Sequence, residues 1–336
     1  MEDLVVKNHA PIASIVVPAF NAAVTIRETI ASLLDQTFTD FEIIVVDDGS
    51  TDMTAATVKR YADPRIRLIS QPNRGLAGAH NTGIAAARGV YIGFCDADDL
   101  WLPEKLELHI RHLEENPDVG ISFSGSSLID CDGKAVGIKQ SPKLKNITAA
   151  DVFCRNPIGN GSAAVIRAEA LEGFAYRPVG EVERDWWFDE NFRQSDDIEG
   201  WLRFILTQDW RIEGIPGHLT LYRIHIGGLS ANVEKQFKTW LAMRDKMARI
   251  APELVARHGE RAAAYQLRYL ARRCVSMRQG RKAFSLALRS LAKSPRPFIE
   301  EPVKSTVTLA AAAFIALAGE TIYSNVESRL LGGSNV

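Results

Sequence analysis

The feature that most constrains the fold of this 336-residue chain is an alternation of short, continuously apolar segments with helical segments. Four apolar segments rich in Val, Ile and Phe are predicted to be buried strands, at residues 12–17, 41–46, 66–69 and 89–94. Strands buried on both faces have unbroken apolar sequences, and parallel strands need helical crossovers. The rhythm therefore predicts an α/β fold, with a mostly parallel sheet flanked by helices.

Polar residues follow three of these strands, at positions 18–21, 47–52 and 96–99. Pro18 is expected to end the first strand, and Asn21 to cap the helix that runs to about residue 34. In open parallel sheets, ligands bind beyond the carboxyl ends of the strands. We therefore predict a ligand site at the edge of the sheet where these three clusters meet.

The third cluster places three carboxylates, Asp96, Asp98 and Asp99, within four residues directly after an apolar strand. Crowded carboxylates repel one another and lose hydration, and a cation between them removes both costs. Oxygen ligands suit Mg2+ or Mn2+, which usually also bind substrate phosphates. The alternative is a solvated acidic turn in which Asp98 or Asp99 caps the helix that begins near Pro103.

The sequence contains neither G-x-x-x-x-G-K-[ST] nor G-x-G-x-x-G, so the common nucleotide-binding motifs are absent. The predicted edge can bind a nucleotide in another way. Asp47 or Asp48 can recognise the base or ribose, Phe20 offers a ring for stacking, and Asp96 and Asp98 can hold a diphosphate through the metal. Taken singly, a phenylalanine such as Phe20 is more often part of a core, and residues 47–52 also fit turn and helix-cap chemistry.

The pattern changes after residue 117. Shorter β-like pieces at residues 119–123, 127–130 and 163–166 are separated by loops, which predicts a mixed-sheet half whose loops form a variable substrate wall. Acidic residues at 196–199 open an amphipathic helix, and residues 219–225 form a further predicted strand.

Beyond residue 231 the sequence becomes helical and basic. Between Glu234 and Glu300, sixteen Lys or Arg residues stand against five Asp or Glu, an excess of eleven positive charges. This composition fits either a solvated helical bundle or contact with an anionic membrane. The apolar segment 307–318 is too short to span a bilayer, which takes about 20 residues. We expect it to be buried, in the chain or at a homodimer interface, or to lie at a membrane surface.

Composition excludes several other classes of protein. The 46% of hydrophobic residues can form a sizeable core, and a net charge of -1 argues against nucleic-acid binding. The four cysteines form no C-x-x-C pair, so neither a zinc site nor a disulfide framework is predicted. We find no secretory signal, and a cytoplasmic location is expected.

Five motifs carry a family resemblance. In chain order they are Val16-Val17-Pro18-Ala19-Phe20-Asn21, Ser32-Leu33-Leu34-Asp35-Gln36-Thr37-Phe38, Val45-Val46-Asp47-Asp48-Gly49-Ser50-Thr51-Asp52, Asn73-Arg74-Gly75-Leu76 and Asp96-Ala97-Asp98-Asp99. In this order and spacing they resemble glycosyltransferase family 2, over about residues 12–230. Two later segments extend the resemblance: Asp196-Asp197 ahead of Trp201-Leu202-Arg203, and Tyr222-Arg223-Ile224-His225.

The resemblance implies a GT-A catalytic domain at residues 10–230, with a nucleotide-sugar half (10–117) and an acceptor half (118–230), followed by a helical region at 231–336. It implies a nucleotide-diphosphate sugar donor, with UDP as the commonest nucleotide, and Mn2+ or Mg2+ bound by a D-x-D motif. It further implies inversion at the anomeric carbon. The acceptor would be a glycan or a polyprenyl-linked sugar, at the cytoplasmic face of the membrane, in the synthesis of a cell-surface or exported polysaccharide.

The resemblance also assigns roles to individual residues. The donor-binding residues would be Pro18, Phe20, Asn21, Asp48, Asn81 and Asp96. The metal ligands would be Asp98 with Asp96 and His225, and Asp197 would be the general base. Asp196, Trp201 and Arg223 would contact the acceptor or support the site.

Two departures from the family pattern bear on function. Many relatives have A-R-N where this chain has Ala79-His80-Asn81, which leaves open whether His80 contacts the donor phosphates. The Q-x-x-R-W motif of processive synthases is absent, which favours transfer of a single sugar. The alternatives to transfer are a nucleotide-sugar-binding protein without activity and a metal-dependent nucleotidyltransferase.

Overall fold

The computed structural model describes residues 10–224 and 233–318. These residues form two compact units. The first contains residues 10–148 and 157–224, and the second contains residues 149–156 and 233–318. The second unit thus includes a short piece of chain from within the first, which the sequence did not suggest.

The described part of the first unit is built on a nine-stranded sheet. The strands are β1 (Ala13–Ala19), β2 (Phe41–Asp47), β3 (Ile66–Ser70), β4 (Tyr91–Phe94), β5 (Leu100–Trp101), β6 (Val119–Ile129), β7 (Ala135–Gln140), β8 (Ala164–Arg167) and β9 (Arg211–Arg223). Their order is β3-β2-β1-β4-β8-β6-β9-β5, with β7 beside β6. Strands β1 to β4 are parallel, whereas β8 is antiparallel to both β4 and β6. The predicted parallel half and mixed half are confirmed.

The helices are α1 (Ile26–Leu34), α2 (Thr54–Val58), α3 (Gly75–Ala86), α4 (Lys105–Glu115), α5 (Ala149–Arg155), α6 (Ala168–Glu172), α7 (Asp196–Thr207), α8 (Val233–Ile250), α9 (Pro252–Ser276), α10 (Gly280–Lys293), α11 (Arg296–Glu300) and α12 (Pro302–Ala318). Helices α5 and α8 to α12 belong to the second unit, and the others to the first. The predicted α/β class followed by a helical region is confirmed.

The core of the first unit lies on both faces of the parallel strands, and every residue of β1 and β2 is buried. On one face, side chains such as Ile15 and Val45 pack with Ile30 of α1 and Ile110 of α4. On the other face, Ile44 and Val46 pack with Ala79 of α3. This two-sided burial explains the unbroken apolar sequence of the strands.

The prediction that Pro18 ends the first strand is wrong, because β1 continues to Ala19. Pro18 lies opposite Val46 of β2, but pairing of β1 with β4 ends where Val16 lies opposite Phe94. Successive residues of a strand bond alternately to its two neighbours, so the missing N–H of Pro18 faces the side where pairing has already ended. The proline therefore removes no hydrogen bond from the sheet.

The structure also corrects the start of the first helix. Asn21 has a positive φ of 50° and does not cap α1, which begins at Ile26. Two predicted strands of the second half, 119–123 and 127–130, are one strand, β6. Its length reflects parallel pairing with β9, which begins at Arg211, earlier than predicted.

The second unit is a helical bundle with its own core. Leu267, Leu270 and Cys274 of α9 pack against Ala283 and Leu286 of α10 and Ala312 of α12. The face of α12 that carries Ala312 and Ile315 is buried, whereas Val303, Val307, Ala310, Phe314 and Leu317 form an exposed stripe, which we call the α12 stripe. No helix among the described residues is long and apolar enough to cross a membrane.

Candidate active site

Three carboxylates cluster where the chain leaves β4, as the sequence predicted. One oxygen from each of Asp96, Asp98 and Asp99 lies within 4.8 Å of the others. Asp99 is completely buried, whereas Asp96 and Asp98 are partly exposed. The cluster therefore consists of one buried carboxylate, Asp99, and two that reach the surface, Asp96 and Asp98.

Asp99 is held by the protein on both of its oxygens. The Ser162 hydroxyl donates to Asp99 Oδ2 at 2.6 Å, and the Arg223 amide donates to Oδ1 at 2.8 Å. By contrast, Asp96 Oδ1 is buried without a hydrogen-bond partner among the described residues. A buried carboxylate oxygen that lacks a partner fits a metal ligand. Asp96 and Asp98 therefore suit Mg2+ or Mn2+, and Asp99 orders the loop.

Arg223 lies behind this loop. Its Nε donates to the carbonyl of Asp98 at 2.7 Å, one guanidinium nitrogen donates to the carbonyls of Asp130 and Cys131, and the other pairs with Glu28 at 2.7 Å. The side chain is almost completely buried. Arg223 thus has the supporting position that was one of its two predicted roles, and it fixes the backbone that carries Asp98.

The second pair of acids reaches the same site from the start of α7. Asp196 is buried and Asp197 is partly exposed. Burial, then the charges of Asp98 and Asp197, raise the pKa of Asp96 to about 7. Burial, then the charges of Asp197, Asp96 and Glu199, raise the pKa of Asp196 to about 8. Residues far apart in sequence therefore form one group of interacting carboxylates.

The raised pKa of Asp196 gives a testable effect on stability. Above about pH 4 Asp196 is ionised in the unfolded chain, whereas in the folded protein it keeps its proton until the pH approaches 8. The free energy of unfolding of the wild type therefore falls across this window, by up to about 1.4 kcal/mol per pH unit. Asparagine does not titrate. We expect Asp196→Asn to raise Tm in EDTA by more at about pH 8.5 than at about pH 5.5. An equal gain at both pH values would contradict this position for Asp196.

Asp48, a predicted donor-binding residue, is buried, and its carboxylate orders the chain between β3 and α3. Asp48 Oδ1 accepts from Gln71 Nε2 at 2.7 Å and from the Arg74 amide at 2.8 Å, and Oδ2 accepts from the Gly75 amide at 2.8 Å. Gly75 has a φ of +82°, a conformation that costs glycine little. In this conformation both carboxylate oxygens of Asp48 accept hydrogen bonds from the chain, so Asp48 orders the residues that lead into α3.

The first two loops of the site are tied together. Asn21 Oδ1 accepts from the Thr51 amide at 2.9 Å, and the Asn21 amide donates to Ser50 Oγ at 3.0 Å. Pro18 is buried, whereas Phe20 is 53% exposed. An exposed phenylalanine ring at the edge of the sheet is available for stacking on a base, which stays a prediction.

Asn81 lies differently from its predicted place against the donor. It is completely buried, and its Oδ1 accepts from the amides of Trp187 and Phe188 at 3.0 and 2.9 Å. Its Nδ2 donates to the Phe188 carbonyl and to Glu190. Because both ends of the amide are used in this way, Asn81 holds the segment 187–190 and does not face a ligand in this conformation.

Trp201 is likewise part of the core. It is 1% exposed and packs edge-on against Phe188, with ring centroids 5.4 Å apart. A direct contact with the acceptor is therefore excluded in this conformation, and a supporting role remains. His225, the third predicted metal ligand, lies outside the described residues.

His80 does not replace a charged arginine. Its ring packs against the rings of Phe94 and Phe188, with centroids 5.0 and 5.3 Å away. Burial lowers the pKa of His80 to about 3, so the ring is neutral at physiological pH. A neutral ring cannot supply the positive charge that an arginine would bring to donor phosphates.

Two features of the site were missed in the sequence. The first is Ser162, which contacts Asp99 and Asp96 and had no motif around it. The second is an ion-pair cluster in which Arg74 contacts Glu181, Glu183 and Glu190 at 2.5 to 2.8 Å. This cluster ties the segment that precedes α7 to the start of α3. Neither could be predicted, because the partners are more than sixty residues apart in sequence.

Comparisons with known proteins identify the class. A model of Glycosyl transferase family 2 matches residues 14–174. The putative teichuronic acid biosynthesis glycosyltransferase TuaG of Bacillus subtilis (strain 168) is 30% identical over 242 residues, which cover 71% of this chain and 89% of TuaG. The UDP-Glc:alpha-D-GlcNAc-diphosphoundecaprenol beta-1,3-glucosyltransferase WfaP of Escherichia coli is 30% identical over 226 residues, 67% of this chain and 82% of WfaP.

A solved structure extends the likeness to the fold. The S. aureus TarS 1–349 structure in complex with UDP has a TM-score of 0.57 and 18% identity, and the match covers 92% of each chain. Fold and relatives define a glycosyltransferase with the GT-A fold, as the motifs implied. The chain belongs to glycosyltransferase family 2.

Proposed function

We propose that this glycosyltransferase moves one sugar from a nucleotide-diphosphate sugar, with UDP the favoured nucleotide, to a hydroxyl of a glycan or lipid-linked acceptor, with inversion and with Mn2+ or Mg2+ bound. The observation that carries the proposal is that Asp96, Asp98 and Asp197 lie close together. The charges of Asp98 and Asp197 both raise the pKa of Asp96. One carboxylate oxygen of Asp98 also lies within 4.8 Å of one of Asp96. A metal-binding pair and a partly exposed carboxylate on one edge of a sheet are what direct displacement requires.

The donor would lie along the edge formed by the loops after β1 and β2. Phe20 would stack on the base, and Asp48 would act on it through the loop of Gly75 that it orders. Asp96 and Asp98 would hold the metal, which when bound neutralises negative charge that develops on the departing diphosphate. With that charge neutralised, the leaving group needs no acid residue.

Asp197 would act as the general base on the acceptor hydroxyl. It is the more exposed member of the acidic pair at the start of α7, whereas Asp196 is buried and holds its proton up to a pKa of about 8. A positioned base contributes about 10²–10⁴-fold to the rate. Asp196 and Glu199 would tune Asp197 or orient the acceptor.

The names of the relatives support the setting. WfaP is named for transfer from UDP-Glc to a diphosphoundecaprenol-linked sugar, and TuaG for teichuronic acid biosynthesis. By analogy, we propose a lipid-linked acceptor at the cytoplasmic face of the membrane and a part in polysaccharide synthesis. The loops of the mixed half decide which sugar and which acceptor are used.

Calorimetric titration of UDP, GDP and TDP with and without Mn2+ tests this function. We expect one nucleotide, UDP in the first instance, to bind more tightly when Mn2+ is present. Equal affinity with and without metal would contradict the assignment of Asp96 and Asp98. Tight binding of a nucleoside triphosphate instead would favour a nucleotidyltransferase, although residues 18–24 contain no Lys or Arg to hold one.

The second unit suggests how the enzyme reaches a lipid-linked acceptor. It combines the basic excess of residues 234–300 with the α12 stripe, in which Leu317 is 89% and Val303 is 75% exposed. Basic side chains near an anionic surface contribute about 1 kcal/mol each, and salt screens them. We therefore expect flotation with anionic liposomes that weakens at high salt.

A matched pair of variants tests the role of the α12 stripe. Leu317→Ser should reduce flotation, while Val182→Ser, at a site 84% exposed in the first unit, should leave it unchanged. Flotation that is equal with neutral and anionic lipids would contradict the electrostatic contact, and absent flotation would contradict membrane contact altogether. The stripe would then be assigned to a homodimer interface, which sedimentation would reveal.

A further inference from the structure

A single turn, Gly161–Ala163, supports the acid-rich loop from behind. Ser162 at its centre is completely buried. Its hydroxyl donates to Asp99 Oδ2 at 2.6 Å and accepts from the Asp96 amide at 2.9 Å. One side chain thus fixes both ends of the loop that contains the proposed metal ligands.

Residues outside the Gly161–Ala163 turn donate hydrogen bonds to its carbonyl groups. Trp101 Nε1 donates to the Ser162 carbonyl at 3.0 Å, and Thr220 Oγ1 donates to it at 3.2 Å. Lys105 Nζ donates to the Ala163 carbonyl at 2.9 Å. These donors fix the backbone of the turn, from which the Ser162 side chain projects toward the loop.

Lys105 is the unusual member of this set, because it is 0% exposed. Its Nζ lies 4.9 Å above the ring of Trp101, a cation–π geometry. Burial lowers the pKa of Lys105 to about 7. A buried amine is costly to maintain, and a leucine at this position of α4 would pack without that cost.

A chain of hydrogen bonds leads from Lys105 toward the surface. Lys105 Nζ lies 3.3 Å from His109 Nε2, and His109 Nδ1 lies 2.7 Å from Ser122 Oγ. Ser122 Oγ lies 2.9 Å from His112 Nδ1, and His112 Nε2 lies 3.4 Å from Glu213 Oε1. Each imidazole therefore joins two neighbours through its two ring nitrogens.

The outer end of the chain sets its direction. Burial raises the pKa of Glu213, but hydrogen bonds from His112 and Lys145 leave it below its usual value, so the carboxylate is ionised and accepts. In the tautomer of His112 that carries its proton on Nε2 and donates to Glu213, Nδ1 accepts a hydrogen bond from Ser122. Ser122 consequently accepts from His109 Nδ1, and His109 Nε2 accepts from Lys105.

Burial holds the pKa of His109 well below its usual range, so its ring is neutral and has one acceptor nitrogen. With that nitrogen facing Lys105, the amine must donate on this side. It also donates to Ala163 on the other. The chain therefore holds the amine of Lys105 in place between a ring and a carbonyl.

We propose that Lys105 is a positioning residue for metal binding, which acts through Ala163 and Ser162 on the loop of Asp96 and Asp98. This inference rests on the proposed function, because it takes these two aspartates as the metal ligands. Lys105 itself would touch neither metal nor substrate. Residues that orient metal ligands typically change metal affinity or activity by about 10–100-fold when they are replaced.

Calorimetry of UDP in Mn2+ and in EDTA, on the full chain, tests the proposal with Lys105→Met, which keeps the length of the side chain and removes the amine. We expect the ratio of the two affinities to fall at least about 10-fold, while the affinity in EDTA stays at the wild-type value. A wild-type ratio in Lys105→Met would overturn the proposal. If the wild type itself shows no Mn2+ dependence, the proposed function fails first, and the two failures are thus told apart.

Leu113→Ala, also on α4, is the matched control. Leu113 is completely buried and packs in the core on the same side of the sheet, so its truncation lowers Tm without touching the Gly161–Ala163 turn. We expect it to keep the wild-type Mn2+ ratio. If the ratio of UDP affinity in Mn2+ to that in EDTA fell as much in Leu113→Ala as in Lys105→Met, the effect would be general destabilisation, and the proposal would be overturned.

Two further measurements keep the proposal testable if Lys105→Met does not fold. Ser162→Ala removes only a hydroxyl, and we expect the Mn2+ ratio to fall in the same way. Ring 15N NMR of the wild type at about pH 8 reports which nitrogen carries the proton. His109 should be protonated on Nδ1 and His112 on Nε2. The opposite tautomers, or a wild-type ratio in Ser162→Ala, would contradict the arrangement.

Discussion

Asp197→Asn is expected to reduce sugar transfer by about 10²-fold or more, because the amide keeps the shape of the side chain but cannot take the proton of the acceptor hydroxyl. Affinity for the nucleotide should be nearly unchanged, since Asp197 would face the acceptor. Transfer rates with the cognate donor, measured beside nucleotide affinity, separate these two effects.

The neighbouring acid supplies the control for this result. Asp196→Asn should be milder in activity, because Asp196 is buried and its proposed role is to tune or orient. Damage to the fold would weaken transfer and nucleotide binding together in either variant. If Asp197→Asn transfers sugar normally and Asp196→Asn is inactive, the base is the other carboxylate. If both are active, the base lies elsewhere in the site.

Asp98→Ala is expected to abolish the Mn2+-dependent part of nucleotide binding, so that the affinity in Mn2+ falls to the value in EDTA. The fold should be retained, and Tm in EDTA should rise. The charge of Asp98 raises the pKa of Asp96 and of Asp99 in the metal-free protein, so its removal relieves repulsion between carboxylates. Calorimetry and thermal denaturation of the same sample measure both effects.

An exposed acid elsewhere in the first unit gives the comparison for Asp98→Ala. Asp185 pairs with Arg177 at the surface, with both side chains about half exposed, and Asp185→Ala should leave the Mn2+ dependence intact. Undiminished Mn2+-dependent affinity in Asp98→Ala would contradict its assignment as the principal ligand. A fall in Tm with lost binding would instead show that the loop had been damaged.

The sequence was most informative where chemistry is local. The four buried strands, the acidic residues that follow β4 and the start of α7 at Asp196 each have their signal within a few residues. An apolar run, an acidic turn or an acidic first turn of a helix is a short-range pattern, and the parallel sheet follows from the alternation of strands and helices. These elements were predicted with small errors in their ends.

The errors came from contacts between distant parts of the chain. Asn81 was assigned to the donor, but the segment that it holds lies more than a hundred residues later in the chain. Pro18 was expected to end β1, but the end of β4 removes the cost of a proline at that point. Ser162 supports the acid-rich loop through hydrogen bonds that only the folded sheet creates. No local pattern identifies such partners.

The most direct test of the central claim is proton NMR of donor hydrolysis by the wild-type enzyme, with a panel of α-linked UDP, GDP and TDP sugars in Mn2+ and no acceptor. Water then takes the place of the acceptor hydroxyl, and the anomeric proton of the first sugar released shows the stereochemistry before the anomers equilibrate. We predict that one donor, a UDP-sugar in the first instance, releases the β anomer first, and that EDTA suppresses the release. Release of the α anomer first, or equal release in EDTA, would contradict a metal-dependent inverting transferase.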